Sequence, residues 1–168
     1  MSEELIPGYF IRRGSTLDRA LLVQFMEQTY QDICPQQDFS HLRQTVEQYL
    51  LPPALLWWVD ITETVPNLPF KFGTTTPVAC LWMGNAIDQV TGLRHAHIFL
   101  LYVVPQHRQK GIGTALMKYA ENWAKKRGDS QIALQVFTAN QPALKLYNYL
   151  GYQTQSLWMI KSLQIEEN

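Results

Sequence analysis

The sequence is short of charge. Asp, Glu, Lys and Arg make up 17% of its 168 residues, against about a quarter in an ordinary soluble domain. Fourteen cations balance fourteen acids, so no net field draws the molecule towards nucleic acid or an anionic membrane, and a general nucleic-acid binder is disfavoured. Long apolar runs are missing too. The longest, "IFLLYVV" from Ile98 to Val104, is far too short to span a bilayer. The opening "MSEELIPGY" is acidic and lacks the apolar stretch of a secretory signal. Only two cysteines occur, Cys34 and Cys80, too few for a disulfide framework and without metal-ligand spacing. A reduced, cytoplasmic compartment is the expectation. Core packing is the ordinary role for either thiol, although Cys34, just before Pro35, could be a reactive loop thiol.

What is present suffices for one core. Apolar residues reach 46% and aromatics 12%, enough for a single domain, expected over residues 7–165. Near-zero net charge with this aromatic content favours self-association, so a homodimer is a possible state. "YFIRRG" (Tyr9 to Gly14) reads as a strand, and Ser15 as the cap of a helix running to about Tyr30. A second helix is expected from about Ser40 to Leu51, stopped by Pro52-Pro53, and "LLWWVDIT" follows as a strand. Residues 63–77 hold three prolines and a glycine and read as a long loop. A hairpin follows, "VACLWMGNAI" and "HAHIFLLYVV" around a turn at Asp88 to Gly92. The helix from Gly111 to Arg127 has the clearest period, and its Lys125-Lys126-Arg127 end opposes the carbonyl pole of its dipole. "QIALQVFT" is a strand, "PALKLYNYLG" a short helix, and "YQTQSLWMIKSL" a last strand. Strands interrupted by four helices predict a mixed α/β sheet with helices packed on it.

One loop points to an anion. "RQKGIG", Arg108 to Gly113, joins a strand to a helix. Such a junction leaves unpaired backbone N–H groups at the positive end of a helix dipole, and glycine keeps a Cβ out of the ligand's way. Arg108 and Lys110 add charge. A Walker loop is excluded because no Gly-Lys-Ser/Thr follows. A dinucleotide fingerprint is excluded because Ala115 and Leu116 occupy the third glycine's place. By itself the loop could be a ligand-free turn.

Two segments together carry a resemblance. "VVPQHRQKGIGTAL" resembles the acyl-CoA signature of the GNAT N-acetyltransferase superfamily, Arg/Gln-x-x-Gly-x-Gly/Ala after a strand. "LQVFTANQPALKLYNYLGY" is similar to the same family's Asn-x-x-Ala-x-x-x-Tyr helix followed by Gly-aromatic. Arg108 and Asn140 stand thirty-two residues apart with a helix and a strand between, and the element order fits from Tyr9 to about Leu163. The resemblance implies a mostly antiparallel sheet of six to seven strands with four helices, its fourth and fifth strands splayed at the acyl-CoA site. It implies acetyl-CoA as cosubstrate, no metal, and a small-molecule or peptide amine as acceptor. The pyrophosphate would lie on the backbone of Gln109, Lys110, Gly111, Ile112, Gly113 and Thr114, beside Arg108. The backbone of Tyr102 and Val103 would pair with the pantetheine arm, and the Val103 amide would polarise the thioester carbonyl.

The chemistry then needs a base and an acid. A primary amine of pKa ~10 must lose a proton before it attacks, and the departing thiolate must gain one. Tyr147 matches the family's acid and stands two helical turns from Asn140; its ordinary alternative is core packing. Asn140 could bind pantetheine, cap the following helix, or do both. Tyr149 and Tyr152 read as packing residues. Where many relatives place a glutamate on the fifth strand, this chain has Gln135, which cannot take a proton. Others place the base eleven residues before the glycine signature, and here that residue is His97. His97 is expected to share a strand face with Leu101 and Val103, with His95 as a possible proton relay; a structural histidine, or water as the proton carrier, is the alternative. A His95/His97 metal pair lacks a third ligand. The first interhelical loop offers Asp32, Asp38 and His41 to a cationic amine, unless these are simply solvated. Trp57, Trp58, Trp82, Tyr102 and Trp158 could line an apolar pocket or fill the core. Gln135 also leaves room for a CoA-binding module without turnover, and the loop equally suits a longer acyl group.

Overall fold

The computed structural model describes residues 2–62 and 75–163. Six strands form one sheet in chain order: β1 (Ser2–Ile6), β2 (Tyr9–Arg13), β3 (Leu56–Thr62), β4 (Thr75–Ile87), β5 (Arg94–Val103) and β6 (Ile132–Leu134). Every neighbouring pair is antiparallel except the last, β5 with β6. Four helices cover the faces: α1 (Arg19–Ile33), α2 (Leu42–Tyr49), α3 (Ile112–Arg127) and α4 (Gln141–Tyr149). The expected loop at 63–77 falls mostly outside the described residues, and its last three belong to β4.

The sheet separates two cores because strand side chains alternate between faces. On one face Ile11, Trp57, Val59, Leu81 and Ile98 pack on Ile112, Leu116, Met117 and Ala120 of α3. On the other, Trp58, Cys80, Trp82, Leu100 and Tyr102 pack on Leu22, Phe25 and Met26 of α1 and Leu42 and Val46 of α2. Cys80 is therefore a core thiol and Cys34 an exposed one.

Local chemistry sets the boundaries. Ser15 caps a short 3-10 turn (Thr16–Asp18) through a capping box with Asp18, and α1 starts behind it. The β4–β5 turn is held by Asp88, whose carboxylate accepts from the Val90 and Thr91 N–H groups. Gly92 supplies the positive φ of 70° that this turn requires. Helix α3 ends at Gly128 with φ 89°, a left-handed residue whose N–H, with that of Asp129, donates to the last carbonyls.

Three features depart from the sequence reading. The acidic start forms β1, paired with β2, so the first strand is really the second. "QIALQVFT" stays in the sheet for only three residues, leaving at Gln135. "YQTQSLWMIKSL" joins no strand ladder, and Leu157 to Ile160 are exposed.

Candidate active site

The site is built where β5 loses its partner. Strand β6 pairs with β5 only from Ala96↔Ile132 to Ile98↔Leu134, while β5 continues to Val103. These are the fourth and fifth strands of the sequence reading, and they do part. The Val104 N–H donates to the Val78 carbonyl at 2.9 Å. Antiparallel ladders alternate bonded and non-bonded pairs, so Val103, opposite Ala79, turns its own N–H and C=O away from β4 and into the gap. The same alternation corrects the expectation for Tyr102. Its backbone faces β4, and Leu101 is the residue that shares the open side with Val103. The Tyr102 ring is buried against Phe25.

The glycine loop follows at once. After a short 3-10 turn (Pro105–His107), Gln109 takes a positive φ of 60° and Gly111 one of 86°. The first backbone bond of α3 runs from the Ala115 N–H to the Gly111 carbonyl. The N–H groups of Ile112, Gly113 and Thr114 therefore precede the helix ladder and remain available at its positive pole. Gly113 seats this end against α4, where an added Cβ would lie 3.4 Å from Leu146. The loop is also anchored from below, because the Tyr9 hydroxyl lies 2.9 Å from Nδ1 of His107. Lys110 is exposed on it.

Arg108 does something the motif alone does not show. Its Nε donates to the Val103 carbonyl at 2.8 Å and its Nη2 to Asp32 at 3.0 Å, with the guanidinium 5.4 Å from the Tyr102 ring centre. It is a strut joining the loop, β5 and α1. Asp32 is thereby engaged with a cation, and Asp38 is turned onto Ser40.

Helix α4 brings the remaining motif residues. Asn140 caps it, its side-chain oxygen accepting from the Ala143 N–H at 3.3 Å, so the capping role is real. Tyr147 packs on the α3-side core, 5.9 Å from the Tyr152 ring. Burial pushes its hydroxyl up to about 12, so the phenol keeps its proton throughout the neutral range. Tyr152 packs as expected, but Tyr149 is exposed.

A cleft of about 300 Å³ opens on the opposite face of the sheet, beside the same gap. Its walls are Met26 and Tyr30 of α1, Thr45 and Tyr49 of α2, Trp82, and His97 to Phe99 of β5, closed by Gln135, Val136 and Phe137. No Asp, Glu, Lys or Arg is among them. Asp32, Asp38 and His41 stand outside this wall, and of the tryptophans and Tyr102 only Trp82 contributes. Trp57 lies under α3 against Tyr119 and Trp123, Trp58 is wholly buried, and Trp158 is exposed. The aromatic walls that sequence reasoning missed, Tyr30, Tyr49, Phe99 and Phe137, come from α1, α2, β5 and the loop after β6.

His97 reaches the cleft through a bulge. Trp82 pairs with Leu100 and Met83 with Ile98, leaving Phe99 as an extra residue on β5. Strand parity switches there. His97 consequently lies on the α1–α2 face, whereas Leu101 and Val103 pack towards α3. The expected shared face is thus corrected. Burial, and then the neighbouring His95, push the His97 imidazole below its ordinary value, so at neutral pH it is an unprotonated acceptor. His95 is buried with Nδ1 2.9 Å from the Ala96 carbonyl, its ring 6.5 Å from that of His97. Among the described residues no three His, Cys, Asp or Glu side chains gather as a metal site.

The family model described as the acetyltransferase (GNAT) family matches residues 23–152. The chain belongs to the GNAT acetyltransferase family. Among GNAT relatives it is 40% identical over 60 residues to the mouse (Mus musculus) thialysine N-epsilon-acetyltransferase, covering 36% of this chain and 35% of that one. It is 27% identical over 124 residues to mouse N-acetyltransferase 8B, covering 66% of this chain and 50% of the relative. The chain thus spans from about a third to half the length of these two relatives. The fold is that of a predicted acetyltransferase from Clostridium acetobutylicum, solved with acetyl-CoA. The TM-score is 0.65 at 21% identity, over 92% of this chain and 96% of that one.

Proposed function

We propose that this protein transfers acetyl from acetyl-CoA directly to the primary amine of a small molecule or peptide. One observation carries the reading. The phosphate-type loop, the open Val103 amide and Tyr147 lie on the α3–α4 side of the sheet, the aromatic cleft lies on the α1–α2 side, and the β5–β6 gap joins them. A thioester laid along β5 would present its carbonyl to an amine entering from the other face.

In this reading the backbone from Gln109 to Thr114 holds the pyrophosphate, with Lys110 beside it, and Arg108 fixes the loop's position. Leu101 offers its backbone to the pantetheine arm and Val103 its N–H, the Val103 carbonyl already accepting from Arg108, and the side-chain amide of Asn140 adds a further contact while its oxygen caps α4. The amine gives a proton to His97, directly or through water, and its nitrogen attacks the carbonyl carbon. The Val103 N–H stabilises the oxygen as it gains charge. The C–S bond then breaks as Tyr147 donates its proton to the sulfur, and the second proton of the attacking nitrogen leaves through water, which returns a proton to the phenolate. A phenol held near 12 is a weak acid in water, but it faces a developing thiolate, and general acids in such positions contribute typically 10²- to 10⁴-fold. Gln135 takes no proton; it can orient the amine or a water.

The cleft narrows the acceptor. Five aromatic rings and no ionised wall suit an amine carried on an apolar or aromatic body, and offer no counter-ion to a polycation. The near-zero net charge that favours self-association also supports a homodimer.

The test is a thermal-unfolding titration with acetyl-CoA and CoA, with ATP as control, followed by an amine screen. At ~100 times Kd the ligand should add ~2.7 kcal/mol of stability. A rise with both CoA species, none with ATP, and turnover of an aromatic amine is the expected result. A rise without turnover of any amine would instead support the non-catalytic CoA-binding reading. No rise from folded protein would remove the acyl-CoA site.

A further inference from the structure

Two consecutive residues at the start of the glycine loop are tied to opposite sides of the sheet. His107 is held by Tyr9 of β2, which packs on the α3-side core. Arg108 is held by Asp32 in the last turn of α1, on the other side. The next residue, Gln109, has a positive φ of 60°. A residue with a Cβ keeps that conformation only where its surroundings hold it there. The two anchored residues before it supply part of that hold.

The ion pair looks weak when taken alone. Arg108 and Asp32 are 44% and 53% exposed, and exposed pairs contribute little to stability. Its place in the packing gives it more consequence. The Arg108 guanidinium lies 5.4 Å from the centre of the Tyr102 ring, and Phe25 of α1 meets the same ring edge-on at 5.5 Å. Asp32 stands seven residues after Phe25, two helical turns along the same face. Arg108 therefore reaches α1 twice, by packing through Tyr102 and Phe25 and by charge through Asp32. Its Nε meanwhile holds the Val103 carbonyl.

The same helix is a wall of the cleft. Met26 and Tyr30 line it, and Tyr30 meets Phe137, another of its walls, at 6.4 Å. Two residues beyond Tyr30 a helix has rotated by about 200°, so Asp32 leaves the cleft wall and faces the loop.

We propose, on the acetyl-transfer reading of the loop and the cleft, that Asp32 is a positioning residue: through Arg108 it ties the end of α1, and with it the Tyr30 wall, to the loop that holds the pyrophosphate. A ligand that orders the loop orders Arg108, and the ion pair passes that order to α1. By linkage, an amine held against Tyr30 favours the ordered loop in equal measure.

The test is amide hydrogen exchange on the full chain, with and without saturating CoA, at 50 and 300 mM salt. In the wild type CoA should slow exchange in the loop, residues 108–115. It should also slow the last turn of α1, residues 29–33, by about 2- to 5-fold, the size an exposed ion pair allows. In Asp32→Asn the loop should keep its protection and α1 should lose it. Asp32→Glu, which restores the carboxylate, should restore the effect. Higher salt should shrink it in the wild type and change nothing in the Asn variant, a response that packing alone would not give. Asp32 is half exposed, so neither substitution threatens the fold. Protection of α1 that persists in Asp32→Asn would overturn the proposal. So would a CoA-bound wild type whose α1 exchanges as fast as in the free protein, or faster. Loss of protection in the loop itself would remove the CoA site and this proposal with it, so the two failures are told apart.

Discussion

The two residues that would move protons are held in opposite ways, and each makes its own prediction. Tyr147 is buried with its hydroxyl pushed up to about 12, so the phenol stays protonated at any working pH. Tyr147→Phe should lower kcat at least 10²-fold while changing acetyl-CoA affinity less than about 2-fold; an unchanged kcat would leave Tyr147 a packing residue. His97 has its pKa lowered, chiefly by burial. A lowered histidine pKa means the free base survives to lower pH, so the acid limb of kcat/KM should lie below the ordinary ~6.5. His97→Gln should abolish that limb, and persistence of the limb would assign the base elsewhere. Both could be singled out as candidates from the sequence because motif spacing counts residues along one strand or helix. Arg108 was legible as a loop cation, but not as a strut to Asp32, since that contact joins residues 76 apart in the chain. The error at Tyr102 came from backbone alternation, which depends on the pairing register with β4.

At the scale of elements, the bulge at Phe99 matters most. It turns His97 into the cleft on the α1–α2 face, and the Phe99 ring finds room only because residue 84, on the neighbouring strand, is glycine. A Cβ there would come within 2.2 Å of the ring. Gly84→Ala should therefore destabilise the fold by ~1–3 kcal/mol and displace the ring from the cleft. KM for the amine should rise severalfold with acetyl-CoA affinity unchanged; equal losses in both would mean the bulge does not separate the two sides. Helix periods, caps and the Asp88 to Gly92 turn could be read from sequence because they are local. The bulge could not, since it exists only relative to β4. Strand β1 was passed over because its acidic residues belong to an edge, where polarity is tolerated on exposed sides. "YQTQSLWMIKSL" has the composition of a strand, but composition does not say which edge, or whose, it will join.

Across the whole molecule, charge is sparse and unevenly useful. The net charge is zero, and among the described residues the cleft has no ionised wall. The cationic groups near the gap are Arg108 and Lys110, at the loop proposed to hold a pyrophosphate. Salt screens exposed charges over ~8–10 Å at ordinary ionic strength, so the two substrates should respond differently to it. Between 50 and 300 mM salt, kcat/KM for acetyl-CoA should fall severalfold, because an anionic ligand meets an exposed cation. For an uncharged-bodied aromatic amine it should change less than about 2-fold, because nothing in the cleft can be screened. Steady-state kinetics with each substrate varied at saturating levels of the other separates the two. An amine kcat/KM that collapsed with salt would mean that the acceptor is steered by acids outside the cleft, with Asp32 released from Arg108 the first to examine. Lys110→Ala should remove most of the salt dependence for acetyl-CoA and leave the amine's unchanged, since in the proposed reading the two substrates reach the β5–β6 gap from opposite faces of one sheet.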